Sequence, residues 1–206
     1  MKKSWFALLA VWLLGSTSAS MASDFKPYIG LAAGTFQLKY TQNSGARSAG
    51  LSEWTAGGFV KAGVEYGDYI GVEIRTGMTG RVHNTVPANL WGNPLPVQLS
   101  TGIDNFFSYL IKPQYPFADR YKVYGLIGGT AAIFDVGGDG KNIGVASSRL
   151  KTGFTYGLGL EYQFRLNGSL GIEWVEYWSD VAMSTGGNFT SKASIRGLSV
   201  MVNKSF

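Results

Sequence analysis

From residue 26 onward, apolar residues alternate with small or polar ones at a period of two, the pattern of strands with two different faces. The longest run sets Phe154, Tyr156, Leu158, Leu160, Tyr162 and Phe164 against Gly153, Thr155, Gly157, Gly159, Glu161 and Gln163. A helix would bring apolar residues back every three or four positions instead. In a soluble sandwich the second face would be polar and open to water. Here it is rich in glycine with isolated charges, which suits a narrow, crowded interior.

Seven further segments repeat the scheme. Residues 26–40 alternate Ile29, Leu31, Ala33 and Thr35 with Gly30, Ala32 and Gly34. Residues 54–66 set Trp54, Ala56, Val60, Ala62, Val64 and Tyr66 against Thr55, Gly57, Phe59, Lys61, Gly63 and Glu65, and Gly67-Asp68 closes a tight hairpin. Residues 69–80 set Ile70, Val72, Ile74 and Met78 against Gly71, Glu73, Arg75 and Gly77. Residues 103–115 carry Phe107, Tyr109 and Ile111 on one face and Ser108, Leu110 and Lys112 on the other. Residues 121–134 are apolar on both faces, with Val123, Ile127, Ala131 and Ile133 assigned outward. Residues 170–178 oppose Leu170, Ile172 and Trp174 to Gly171 and Glu173, and residues 195–206 oppose Leu198, Val200, Val202 and Phe206 to Gly197, Ser199, Met201 and Asn203.

Eight such segments predict an all-β chain, an eight-stranded antiparallel transmembrane β-barrel wound as an up-and-down meander. In hydrocarbon every backbone N–H and C=O must be paired within the protein, so the last strand must close on the first. Short links at 67–68, 116–120 and 165–168 alternate with long ones at 41–53, 81–102, 135–150 and 179–194. Short periplasmic turns and long external loops are the expected asymmetry, which puts both termini in the periplasm. Tyr28, Trp54, Tyr66, Tyr115, Trp174, Trp178 and Phe206, near strand ends, are expected in interfacial girdles.

Composition agrees with this class. The 206 residues include 29 glycines, 14% aromatic and 15% charged residues, and no cysteine. Disulfides, thiolate metal sites and a lipoprotein anchor are thereby excluded. Lys2 and Lys3, an apolar stretch over 5–14 and Ser20-Met21-Ala22 form a secretory signal, with cleavage expected after Ala22 and the barrel domain running over 23–206. The apolar stretch is too short for a spanning helix. Without Lys2 and Lys3 the formal charge of +5 falls to +3, too mild to argue for nucleic acid.

Several stretches resemble the transmembrane domain of the OmpA family. They are Tyr28-Ile29-Gly30-Leu31-Ala32-Ala33-Gly34, residues 63–73 through the Gly67-Asp68 turn, residues 112–124 with Tyr115-Pro116, Leu126-Ile127-Gly128-Gly129, and residues 160–174 with Leu160-Glu161-Tyr162 and Ile172-Glu173-Trp174. The resemblance covers most of the barrel and none of the long loops. The chain stops at Phe206 without that family's peptidoglycan-binding domain, which implies a barrel-only relative of the opacity or porin-like kind. Phe206, Val202 and Val200 look like the signal read by the barrel assembly machinery, although Lys204 departs from the usual apolar residue.

Parity turns Lys61, Glu65, Glu73, Arg75, Lys112, Glu161 and Glu173 inward, where unpaired ions would be costly. A charge network plugging the lumen is expected, because eight strands enclose little more than their own side chains. The resemblance carries over to Glu73, Lys112, Glu161 and Glu173, while Ala32, Leu126 and Gly171 stand where the family has basic residues. Glu176 has the opposite parity to Glu173 and is placed outside, at the headgroup boundary.

No catalytic constellation is legible. His83, the only histidine, falls at the start of a long link and is followed by Asn84. Gly137-Gly138-Asp139-Gly140-Lys141 lacks the helix a phosphate loop needs, and Asn167-Gly168-Ser169 and Asn188-Phe189-Thr190 match glycosylation sequons only formally. No cofactor or metal is called for. The expected partners are outer-membrane lipid and lipopolysaccharide, plus an unidentified ligand of loops that hold Arg47, Arg81, Trp91, Pro87, Pro94, Pro96, Lys141 and Arg149. A lipid A-modifying barrel enzyme and a small diffusion porin remain the alternatives, and a soluble lipocalin-like carrier would need the two faces reversed.

Overall fold

The computed structural model describes residues 24–44, 47–86, 96–138, 149–165, 167–186 and 189–206. The signal segment, Trp91 with Pro87 and Pro94, residues 139–142 and Asn188 lie outside the described residues, as do the side chains of Arg47 and Arg149.

The strands are β1 (Phe25–Ser44), β2 (Arg47–Tyr66), β3 (Ile70–Thr79), β4 (Val82–Val86), β5 (Val97–Ala118), β6 (Tyr121–Gly138), β7 (Arg149–Arg165), β8 (Gly168–Gly186) and β9 (Phe189–Ser205). All neighbours are antiparallel, and β1 pairs with β9 from Tyr28↔Ser205 to Ser44↔Phe189, so the sheet closes on itself. Strands β3 and β4 both pair with β5 and form one wall element interrupted at Gly80 and Arg81; the barrel therefore has eight staves. Gly67, in the β2–β3 turn, has φ of 59°, a left-handed conformation that glycine adopts without steric cost, and its N–H donates to Asp24 O at 2.8 Å.

Closure carries a definite stagger. Directly opposed residues lead from Pro27 through Val64, Val72, Ile111, Ile127, Tyr156, Glu176 and Arg196 back to β1 at Gln37, ten residues beyond the start. Strand number and stagger together fix the tilt and bore of a barrel. This path runs entirely along the outer face.

Side chains sort by the predicted parity. Leu158, Leu31, Val72, Ile111 and Val200 are more than half exposed on the outside, whereas their alternate neighbours are buried. Strand β6 follows the outward assignment, with Val123 and Ile127 exposed and Tyr124, Leu126, Thr130 and Phe134 buried. At the end where β1 begins and β9 finishes, here the terminal mouth, exposed Phe25 packs on Tyr66 at 4.9 Å, Tyr69 on Tyr115 at 6.3 Å and Tyr121 on Tyr162 at 5.0 Å.

Three expectations are corrected. The long links are shorter than expected because pairing continues past the predicted strand ends, through β4 and the far halves of β2, β5, β8 and β9; inward residues such as Leu51 and Thr101 are still buried there. His83 accordingly lies in β4, exposed and opposite Ser100, and Pro116 lies within β5 beside a register shift. Finally, Tyr28 and Trp178 do not belong to an exposed girdle. Tyr28 shares the parity of Gly30 and Ala32 and points inward, and a bulge between Glu176 and Trp178 turns Trp178 inward, where its indole N–H donates to Thr130 O at 2.9 Å.

Candidate functional site

The lumen is the only place where this fold concentrates chemistry among the described residues, and it is built in two tiers. The charged tier occupies the half nearer the terminal mouth. Glu73 on β3 accepts the Tyr28 hydroxyl at 2.6 Å and Lys61 Nζ at 3.1 Å, and also the Arg75 Nε–H. Arg75 reaches across the lumen to Glu173 on β8, donating through Nη1 and, at 2.9 Å, through Nη2. Tyr124 donates to the same carboxylate at 3.0 Å. All four charged side chains of this inner group have no solvent exposure.

Closer to the mouth, Lys112 bridges Glu65 at 3.0 Å and Glu161 at 3.3 Å. Lys122 donates to the other oxygen of Glu65 at 2.7 Å, and Ser169 donates to Glu161 at 2.6 Å. Aromatic faces complete the cation environment: Arg75 lies over Phe59 at 4.9 Å, and Lys112 over Tyr124 at 4.6 Å and Tyr28 at 5.0 Å. Glycines on the inner wall make room for these rings. A Cβ on Gly159 would fall within the Tyr124 ring, and one on Gly63 within the Tyr28 ring.

The seven inward charges named from parity thus meet in two ion-paired groups joined through Tyr28 and Tyr124. Lys122 was not among them. With it, Lys61, Arg75, Lys112 and Lys122 balance Glu65, Glu73, Glu161 and Glu173. Its signal was available, since Lys122 shares parity with Tyr124, but its place beside a turn hid it. Buried ions persist only when each is paired and hydrogen-bonded, and every member here meets that condition. Glu176 faces outward with Trp174 and is covered by Arg196, whose Nε lies 3.2 Å from it.

The second tier was not visible in the pattern of charges. Toward the loop end the lumen is filled by Phe36, Leu38, Tyr40, Phe59, Ile103, Phe106, Phe134, Tyr177, Trp178 and Ile195, all buried. Phe106 packs on Tyr177 at 5.3 Å and Phe36 on Tyr177 at 6.0 Å, so rings from β1, β5 and β8 meet on the axis. Between the tiers, Ser108, Thr130 and Thr155 form a hydroxyl chain with 2.7 Å links that ends on Tyr177 O at 3.0 Å.

A closed meander with an apolar exterior and paired charges inside is the architecture demanded by a lipid bilayer. Residues 6–206 match the model of the family described as "Outer membrane protein beta-barrel domain". The chain belongs to this outer-membrane β-barrel family. That agrees with the resemblance to a small OmpA-like barrel. A search of curated proteins finds no match.

Several solved structures are similar to the chain at low identity. OprG of Pseudomonas aeruginosa is 11% identical, with a TM-score of 0.50, covering 89% of this chain and 97% of its own. Ail of Yersinia pestis, solved in complex with the heparin analogue sucrose octasulfate, is 16% identical, with a TM-score of 0.43 and coverage of 85% and 98%. The outer-membrane protease OmpT of Escherichia coli is 10% identical, with a TM-score of 0.49 and coverage of 93% and 100%. At these identities the likenesses bear on the fold alone. What the fold gives this chain is an outer-membrane barrel; its particular task rests on its own residues.

Proposed function

We propose that residues 23–206, released from a signal segment at Ala22, form an integral outer-membrane barrel with a structural or surface-interaction role and a plugged lumen. The balanced, fully paired ion network is the observation that carries this reading. Its eight charged groups and their ring and hydroxyl partners occupy the bore toward the terminal mouth, and the buried rings of the apolar tier occupy the rest. Eight strands leave space for side chains rather than for an aqueous channel.

Both termini lie at one end of the barrel, and we place that end in the periplasm because the connections there are the short ones. Val200, Val202 and Phe206 point outward near this end, in reach of the barrel assembly machinery. Lipopolysaccharide and lipid are the partners of the outer wall. The connections at the other end are open to an external ligand.

The test is fractionation of the expressed chain followed by gel migration with and without boiling. Recovery in outer membranes, with a band that shifts on heating, supports the reading, and planar-bilayer recording of the same preparation is expected to show little or no conductance. A soluble periplasmic monomer, or steady open pores, would refute it.

A further inference from the structure

Exposure within the lumen falls with depth from the terminal mouth. The Lys122 side chain is 23% exposed, Glu161 and Glu65 12% and 11%, Lys112 1%, and the inner group of Lys61, Glu73, Arg75 and Glu173 not at all. At the same mouth Gln114 is buried with neither amide atom hydrogen-bonded to protein, and Asn203 Oδ1 has no protein partner, although its amide donates to Ser169 at 3.2 Å. Such groups belong where solvent reaches.

The loop half is different in kind. The gap bounded by Phe36, Ile103, Phe106, Thr130, Tyr177 and Ile195 is too small to hold a water molecule. Its rings close on one another from separate strands, and the Ser108–Thr130–Thr155 chain beside it ends satisfied on Tyr177 O. Thr101 Oγ1, buried without a protein partner, lies beyond it, two residues nearer the loops than Ile103.

An ion crossing the charged tier meets groups that can exchange partners with it. An ion entering the apolar tier loses its hydration and meets nothing in return. We propose that the lumen is a half-channel: water and small ions enter from the terminal mouth as far as the ion-pair tier, and the apolar tier beyond it is the seal. This rests on the closed, plugged barrel proposed above and assigns the barrier to particular residues.

The absence of cysteine from the chain makes the test direct. Gln114→Cys, at the mouth, and Ala132→Cys, fully buried in the apolar tier, are exposed in the folded full-length barrel to a charged methanethiosulfonate reagent. The thiol at 114 is expected to react, and the one at 132 to react about a hundredfold more slowly, since it waits for local opening. Equal rates, or an inert thiol at 114, would overturn the proposal. In planar bilayers, Phe36→Ser/Phe106→Ser is expected to raise ion current by about tenfold over wild type, while Leu158→Ser on the outer wall leaves it unchanged. A folded double variant that stays closed would also overturn it. If the double variant does not fold, the two thiol rates decide alone. A wild-type barrel that conducts steadily would instead remove the plugged-barrel reading itself, seal included.

Discussion

Arg75 and Glu173 are 98 residues apart in sequence and meet across the bore through two guanidinium nitrogens. One residue comes from β3 and the other from β8, on opposite walls, so the pair ties the barrel across its diameter. A planar donor fork facing a carboxylate is the geometry that lysine cannot reproduce. Arg75→Met should therefore destabilise the barrel by about 3–5 kcal/mol, because Glu173 and Glu73 lose a shared partner in a dry interior. Urea unfolding followed by the heat-shifted gel band measures it. In a double-mutant cycle with Glu173→Gln the coupling should exceed about 1 kcal/mol; additive effects would show that the two do not act together.

Gly159 faces the ring of Tyr124, whose hydroxyl holds Glu173. Gly159→Ala should cost about 1–3 kcal/mol through overpacking, although alanine has the better strand backbone. Gly125→Ala, whose added methyl would meet only ordinary contacts near Pro113, serves as the control. Equal effects from the two substitutions would mean that the ring can move aside.

The outer wall makes a separate prediction. Leu158 is 64% exposed midway along β7, between Tyr162 toward the terminal mouth and Phe154 toward the loops. Leu158→Arg should lower stability in bilayers by about 2–4 kcal/mol, the cost of a cation near the hydrocarbon midplane. A substitution without effect in lipid would contradict a spanning wall at that level.

His83 tests the enzymatic alternative. It is exposed on β4 opposite Ser100, and no side-chain hydrogen bond joins the two among the described residues. His83→Ala is expected to leave the lipid A of the expressing strain unaltered by mass spectrometry and the fold intact. A lipid A modification that depends on His83 would replace the structural role with a catalytic one.

Much of the wall was legible because parity is a local property. Once Leu158 and Leu160 are assigned outward, Gly159 and Glu161 have only one other side to occupy, and the same holds on every stave. Parity fails where a residue is inserted: the bulge after Glu176 reversed Trp178, and no spacing in the sequence announces it. Tyr28 departs from the girdle for another reason: it stands close to a strand end but shares the register of Gly30, which faces the lumen. The apolar tier was obscured because Phe36, Phe59 and Phe106 lie on the face marked by glycines and charges, and their meeting depends on closure of β1 against β9. The strand extensions near Leu51 and Val82 lack sustained alternation, and only the partner strand keeps them extended.

The ten-residue offset between Pro27 and Gln37 has a consequence for how this molecule can vary. Girth is set by backbone pairing around the ring, not by what the ring contains, so the wall is a hoop that neither swells nor shrinks to suit its filling. Inherited changes inside the hoop must trade volume for volume among residues distant in sequence, whereas the segments joining the staves beyond the hoop are released from that constraint and can diverge alone.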